Sequence, residues 1–295
     1  MKKFLVMLPL FLVLFLCGCK GRNELGNNGI VTVFFVDFGE NQFEITAETA
    51  DFTKDKKEKK ILFTSKGETL NKAYSLLEES MTSTPYEGHT AAIILGDELC
   101  KNLKIKDTIG FFADMNILSP NISIFLTEDS PSDFKEGTIY SAVKKEMLSK
   151  APLYTFFLSE NEISLIPVIS CIDGLPESTG AAICENLNFK YYLTEDEYRL
   201  YRLLTDKLNK KYYKSFEIIS SKGKISVNNN TLNIKLQTKT KNPIDEILLK
   251  EDIYRLIEKS SQNGFKALFS KNEWDNTEIS VTTLIANTGK IKNRR

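Results

Sequence analysis

Thirteen consecutive apolar residues, Phe4 to Leu16, follow Lys2 and Lys3 at the start of the chain and set the first constraint on its folding. A charged start and a short apolar core have the shape of a secretory signal peptide. A helix of that length spans roughly 20 Å, against about 30 Å of bilayer hydrocarbon, so it is too short for a permanent span. Pro9 inside the run weakens a spanning helix further. The folded body is therefore expected outside the cytoplasm, built from the residues that follow.

The run closes on Leu16-Cys17-Gly18-Cys19, which looks like a bacterial lipobox: a large apolar residue, two small ones and a thiol that is diacylated before cleavage in front of it. Cys17 stands where Ala or Ser is usual and keeps the small size that lets the backbone fit the processing enzymes. This predicts a signal peptide over 1–18, a lipid on Cys19 and a polar tether over 19–28. An ordinary signal peptide with two incidental cysteines is the alternative. Two acyl chains anchor stably where one is marginal, so the mature protein is expected on the outer face of a membrane.

Loss of residues 1–18 leaves 277 of the 295 residues, enough for two or three domains. It also removes Lys2 and Lys3, leaving 37 basic against 39 acidic residues and a formal charge of minus two. Near neutrality argues against a nucleic-acid partner. Beyond Cys19 the thiols are Cys100, Cys171 and Cys184, an odd number without C-x-x-C spacing, so no metal site is indicated. Cys171 and Cys184 either pair in an oxidising exterior or serve as small buried hydrophobes.

Hydrophobic patterning predicts an α+β chain of mixed and antiparallel sheets packed with helices. Ile30–Phe38 and Gln42–Phe52 read as a hairpin about Gly39-Glu40-Asn41, with a solvated loop over Lys54–Lys60 and a strand at Ile61–Thr64. Ser65-Lys66-Gly67-Glu68 has capping-box spacing before a helix over Gly67–Ser80, whose face carries Leu70, Ala73, Tyr74 and Leu77. That face suits a core, or less simply a partner. The apolar run Thr90–Leu95 suits a buried strand, Asp97–Leu103 and Lys106–Met115 suit helices, and Asn121–Thr127 a strand.

A second unit opens with a helix over 138–149 and strands at Ile163–Ile172 and Gly180–Leu193. Thr194-Glu195-Asp196-Glu197 then caps a connector helix running to Lys207, Lys210 and Lys211. The remainder reads as strands at Phe216–Ser220, Lys224–Val227 and Thr231–Thr240, with a turn at Asn228–Asn230. A helix from Pro243 to Gln262 and a last strand over Glu278–Ala286 follow. The expected division is 29–130, 131–210 with the connector helix, and 211–295.

Catalytic signatures are absent from the sequence. His89, the one histidine, sits between Gly88 and a strand, and no G-x-S-x-G, H-E-x-x-H or phosphate loop occurs. The acidic pairs Glu78-Glu79, Asp97-Glu98 and Glu128-Asp129 could supply acid and base to a wall-active glycosidase, but solvated carboxylates at helix ends and turns are the simpler reading. The tail with Lys290, Lys292, Arg294 and Arg295 could touch anionic headgroups, but a disordered tail is the simpler reading.

The order of these segments resembles the Ger(x)C family of spore-germination lipoproteins, the C subunits of nutrient germinant receptors. Four stretches carry the resemblance. The first is Cys19 followed by Asn23-Glu24-Leu25 and Gly29-Ile30-Val31. The second joins Gly67-Glu68-Thr69-Leu70-Asn71-Lys72-Ala73 to His89, Ile93 to Leu99 and Phe111-Phe112-Ala113-Asp114. The third is Gly180 to Cys184 with Leu193 to Glu197, and the last is Trp274 before Ile279-Ser280-Val281 and Ile285 to Gly289. The chain departs from the family in its short passage from Gln262 to Trp274.

The resemblance implies a three-domain α+β fold and a non-enzymatic, lipid-anchored subunit without cofactors. It also implies a place on the outer surface of the spore inner membrane, beside two integral membrane subunits, A and B. No site residue transfers from the family except lipidation at Cys19. A solute-binding lipoprotein of a transporter is the rival reading, and such proteins show strand–helix alternation in two lobes with parallel sheets.

Overall fold

A computed structural model of the chain describes residues 28–51, 59–81, 83–102, 104–115, 118–149, 151–158, 163–205, 212–213, 216–228, 231–240, 245–262 and 278–287. The signal segment, Cys19, most of the tether, much of the charged loop after Phe52, Lys207, Lys210, Lys211, Trp274 and the basic tail lie outside the described residues. The fold is α+β.

β1 (Asn28–Gly39) and β2 (Gln42–Asp51) form the expected hairpin. Glu40 and Asn41 take positive φ (53° and 61°), the geometry of a tight turn whose twist matches the strands. β3 (Lys59–Gly67) adds antiparallel to β2 and runs into α1 (Leu70–Ser80). The capping box expected at Ser65–Glu68 does not form. Thr69 caps α1 instead, its hydroxyl accepting from Lys72 N at 3.2 Å. Ser65 stays in β3 and donates to Ala73 O at 2.6 Å. The reason is the corner at Gly67, where a Cβ would lie 2.5 Å from Ala73 N and only glycine lets strand and helix meet.

β4 (Thr84–Tyr86) and β5 (Ala92–Gly96) pair parallel with β1, and after α2 (Asp97–Lys101) and α3 (Ile105–Asp114) β6 (Ser123–Thr127) pairs parallel with β5. A 3₁₀ turn (Pro131–Asp133), α4 (Thr138–Lys144) and α5 (Thr155–Leu158) precede β7 (Ile163–Ile172), which joins β6 in parallel through the pair Leu126–Val168. The single strand expected over Gly180–Leu193 is instead two. β8 (Leu175–Glu185) and β9 (Asn188–Thr194) are antiparallel, turning at Asn186 and Leu187 with φ of 50° and 62°.

These nine strands make one sheet in the order β3-β2-β1-β5-β6-β7-β8-β9, with β4 beside β1. Its centre is parallel and its two flanks are antiparallel ribbons. The boundary expected at 130/131 falls between β6 and β7 of this sheet. β6 is buried at all five positions, as a central strand covered on both faces requires. One face packs Phe34, Leu95 and Ile124 against Leu70, Ala73 and Leu77 of α1 and Ile109 and Phe112 of α3. The other packs Val33, Ile94 and Phe125 against Phe134 and against Ile139 and Val143 of α4.

α6 (Glu195–Leu204) carries the expected capping box between Thr194 and Glu197 and leads to a second sheet. That sheet is β10 (Tyr212–Tyr213), β11 (Phe216–Asn228), β12 (Thr231–Thr240) and β13 (Glu278–Asn287), in that order. α7 (Glu246–Gln262) crosses over between β12 and β13, which are parallel. β11 runs unbroken where two strands were expected. Gly223 lies inside it because a Cβ there would stand 1.9 Å from the carbonyl oxygen of Leu204 at the end of α6. A core of Leu200, Leu203, Leu232, Ile234, Ile253 and Leu256, continued by Ala181 and Ile183, joins this unit to the edge of the large sheet.

Candidate functional site

The parallel centre of the large sheet sends its chain in different directions at the carboxyl ends of its strands. β5 continues into α2, whose Leu99 and Cys100 pack on one face of the sheet. β6 continues toward Phe134 and α4, on the other face. Crevices form where neighbouring connections diverge in this way. Here a pocket of about 440 Å³ opens beside the ends of β1, β5 and β6.

Five carboxylates, Asp37, Glu40, Glu44, Glu98 and Glu128, and one ammonium, Lys66, line it together with Phe35, Phe38, Thr46 and Thr127. Asp37 is the most constrained of them. Its Oδ1 accepts from the backbone N–H of Phe38 at 2.8 Å and of Leu99 at 2.9 Å, tying β1 to α2. Gly96 gives it room, because a Cβ at 96 would lie 2.2 Å from Asp37 Cγ. Burial holds the Asp37 carboxyl above its ordinary range; the two N–H donors oppose this, and the charges of Glu98 and Glu44 add to it. Lys66 pairs with Glu44 across β2 and β3 at 2.8 Å, and that hydrogen bond raises its own pKa. The result is an acid-rich polar cleft that attracts cations and offers hydrogen-bond acceptors.

Because Asp37 binds its proton more tightly when folded, it favours folding at low pH. That contribution is lost as pH rises from the ordinary 3.8 through the raised value. Asp37→Asn is therefore expected to gain stability relative to the wild type as pH rises from below 3.8 toward neutrality. The gain should stay under about 1 kcal/mol, because the group is only half withdrawn from solvent. Urea midpoints across that range measure it, and a pH-independent difference would contradict the assignment.

The residues singled out from sequence are dispersed. Glu98 and Glu128 reach the pocket rim. Asp97 instead pairs with Lys101 at 2.6 Å and accepts from Tyr192 Oη at 3.2 Å, and Asp129 accepts from Cys171 N at 2.7 Å. Glu78 and Glu79 lie exposed at the end of α1. His89 is exposed, its ring packed edge-on to Tyr86 at 5.6 Å. Leu70, Ala73 and Leu77 are core residues, which takes that helix face away from any partner.

Cys100 and Cys184 are free and buried, and burial pushes the Cys184 thiol up to about 12. Cys171 is free and half-buried, so the disulfide with Cys184 does not form. Sequence reasoning missed Asp37, Glu44 and Lys66. It also missed Glu48, a buried carboxylate that accepts from Thr32 Oγ1 at 2.8 Å and from Gly137 N at 3.1 Å. A lone acid within the apolar run from Val33 to Phe38 was the available signal for Asp37.

The spore germination protein N-terminal domain model matches residues 21–173, just over half of the 295 and all of the pocket lining. The chain belongs to the Ger(x)C family of spore germination proteins. No curated protein matches it. The crystal structure of the GerBC protein is similar at a TM-score of 0.53 and 16% identity, over 86% of this chain and 96% of that one. Coverage of that extent carries the likeness of fold past the family-matched region and into the C-terminal part.

Proposed function

We propose that the protein is a non-enzymatic subunit of a spore nutrient germinant receptor, held by a diacylglyceryl group on Cys19 at the outer face of the spore inner membrane. There it scaffolds or stabilises the integral membrane A and B subunits. The observation that carries this reading is the position of the family match, which opens at residue 21, two residues after Cys19. The family region thus begins where the processed chain would begin. Among the described residues no helix is long and apolar enough to cross a membrane.

Deletion tests it, in spores from which redundant receptors have been removed. Nutrient-triggered germination is expected to fall at least tenfold, with loss of the integral partners from the membrane fraction. Normal germination with partners at full abundance would overturn the proposal.

A further inference from the structure

The second sheet has one covered face and one open face, and the two differ in charge. Along β12, Leu232, Ile234, Leu236, Thr238 and Thr240 point inward to α7, while Lys235, Gln237 and Lys239 point out. The register with β11 sets Lys224 directly opposite Lys235, Lys222 opposite Gln237, and Ser220 opposite Lys239. β13 adds the exposed Ser280 and Thr282 to the same face, Thr282 beside Lys235. With strands about 4.8 Å apart and alternate residues about 7 Å apart, the four lysines fall within one compact patch.

The acidic residues of β11, β12 and β13 are Glu217 and Glu278, each at or next to a strand end and neither in register with any of the four lysines. On the covered side of the same unit, Lys250 and Lys259 are paired with Glu246 and Glu197. Among the described residues no carboxylate pairs with Lys222, Lys224, Lys235 or Lys239. Like charges directly opposite one another in a sheet repel, so the bare face holds a repulsion that an anionic partner would relieve. A bulge between Ile218 and Ser220 also turns Ile219 outward, 41% exposed, beside these lysines.

We infer that this face, through Lys222, Lys224, Lys235 and Lys239, docks on the anionic phospholipid headgroups of the membrane. The inference rests on the lipid-anchored reading above. Lysine is a compact point charge suited to a diffuse anionic surface rather than to bidentate recognition of one phosphate. Ser280, Thr282 and Gln237 are exposed on it, and among the described residues it carries no aromatic ring on which nucleobases could stack. Each lysine near an anionic leaflet contributes roughly fivefold in partitioning, within a Debye length of the surface.

The whole mature chain carrying Cys19→Ala isolates the surface contribution from the acyl chains. At about 50 mM salt it is expected to sediment with phosphatidylcholine vesicles containing about 30% phosphatidylglycerol, to ignore pure phosphatidylcholine, and to release at about 500 mM salt. Changing the four face lysines to glutamine should lower partitioning at least a hundredfold. A charge-matched control at Lys72, Lys106, Lys135 and Lys145 should retain it, and thermal melts confirm that both variants fold. Equal loss in the two variants, unchanged binding by the face variant, or preferential binding of an oligonucleotide or an acidic protein would overturn the inference. The lipid anchor fails separately, if mass spectrometry finds no diacylglyceryl group on Cys19 of the wild-type protein.

Discussion

Cys19→Ala is expected to abolish membrane retention of the processed protein, moving it from the membrane to the soluble fraction, or else to leave the precursor uncleaved. Each buried acyl methylene contributes about 0.8 kcal/mol, so two chains exceed by far what four surface lysines supply at about 1 kcal/mol each. On this reading the lysine face would orient a tethered protein and would not replace the tether at physiological salt. Membrane fractionation at about 500 mM salt, where the lysine face is expected to release, with intact-mass analysis reads the result. Tight retention of a processed Cys19→Ala chain would refute the anchor.

Phe112→Ala is expected to cost about 3 to 5 kcal/mol of folding stability, against a total of about 5 to 15 for an ordinary domain. Phe112 is fully buried under the large sheet, with its ring 5.4 Å from that of Phe34 on β1 and 5.2 Å from that of Phe111. Truncation leaves a ring-sized cavity between α3 and the central strand, where close-packed neighbours relax only partly. Phe112→Leu keeps most of the volume and should cost under half as much. Urea denaturation compares them, and a loss below about 1 kcal/mol for the alanine variant would place Phe112 outside the core.

Local signals were readable where they were also sufficient. The β1–β2 hairpin follows from alternation and a turn-forming Glu40-Asn41, the buried face of α1 from the spacing of Leu70, Ala73 and Leu77, and the start of α6 from Thr194 and Glu197. Failures came where distant chain segments decide. The gap expected between Ser220 and Lys224 is continuous strand, in which the missing side chain of Gly223 makes room for the Leu204 carbonyl. The turn at Asn186 and Leu187 has no glycine or proline to mark it. Parallel pairing of β1, β5, β6 and β7 is a relation among segments far apart in the chain.

The pocket was hidden for the same reason. Asp37 and Leu99 meet across 62 positions, so only the fold reveals that Glu98 and Glu128, named from sequence, share a cleft with Asp37.

Asn28, the first residue of β1, stands nine positions after Cys19, a leash of at most about 30 Å. β1 is gripped on one side by β2 and on the other by β4 and β5. If the lipid proposed on Cys19 pulled β1 along its axis, both hydrogen-bond ladders would be loaded in shear and many bonds would share the force at once. An edge strand under the same tension would have one ladder to share the force, not two. The anchor proposed at Cys19 would thus feed its load into a strand that is held on both sides.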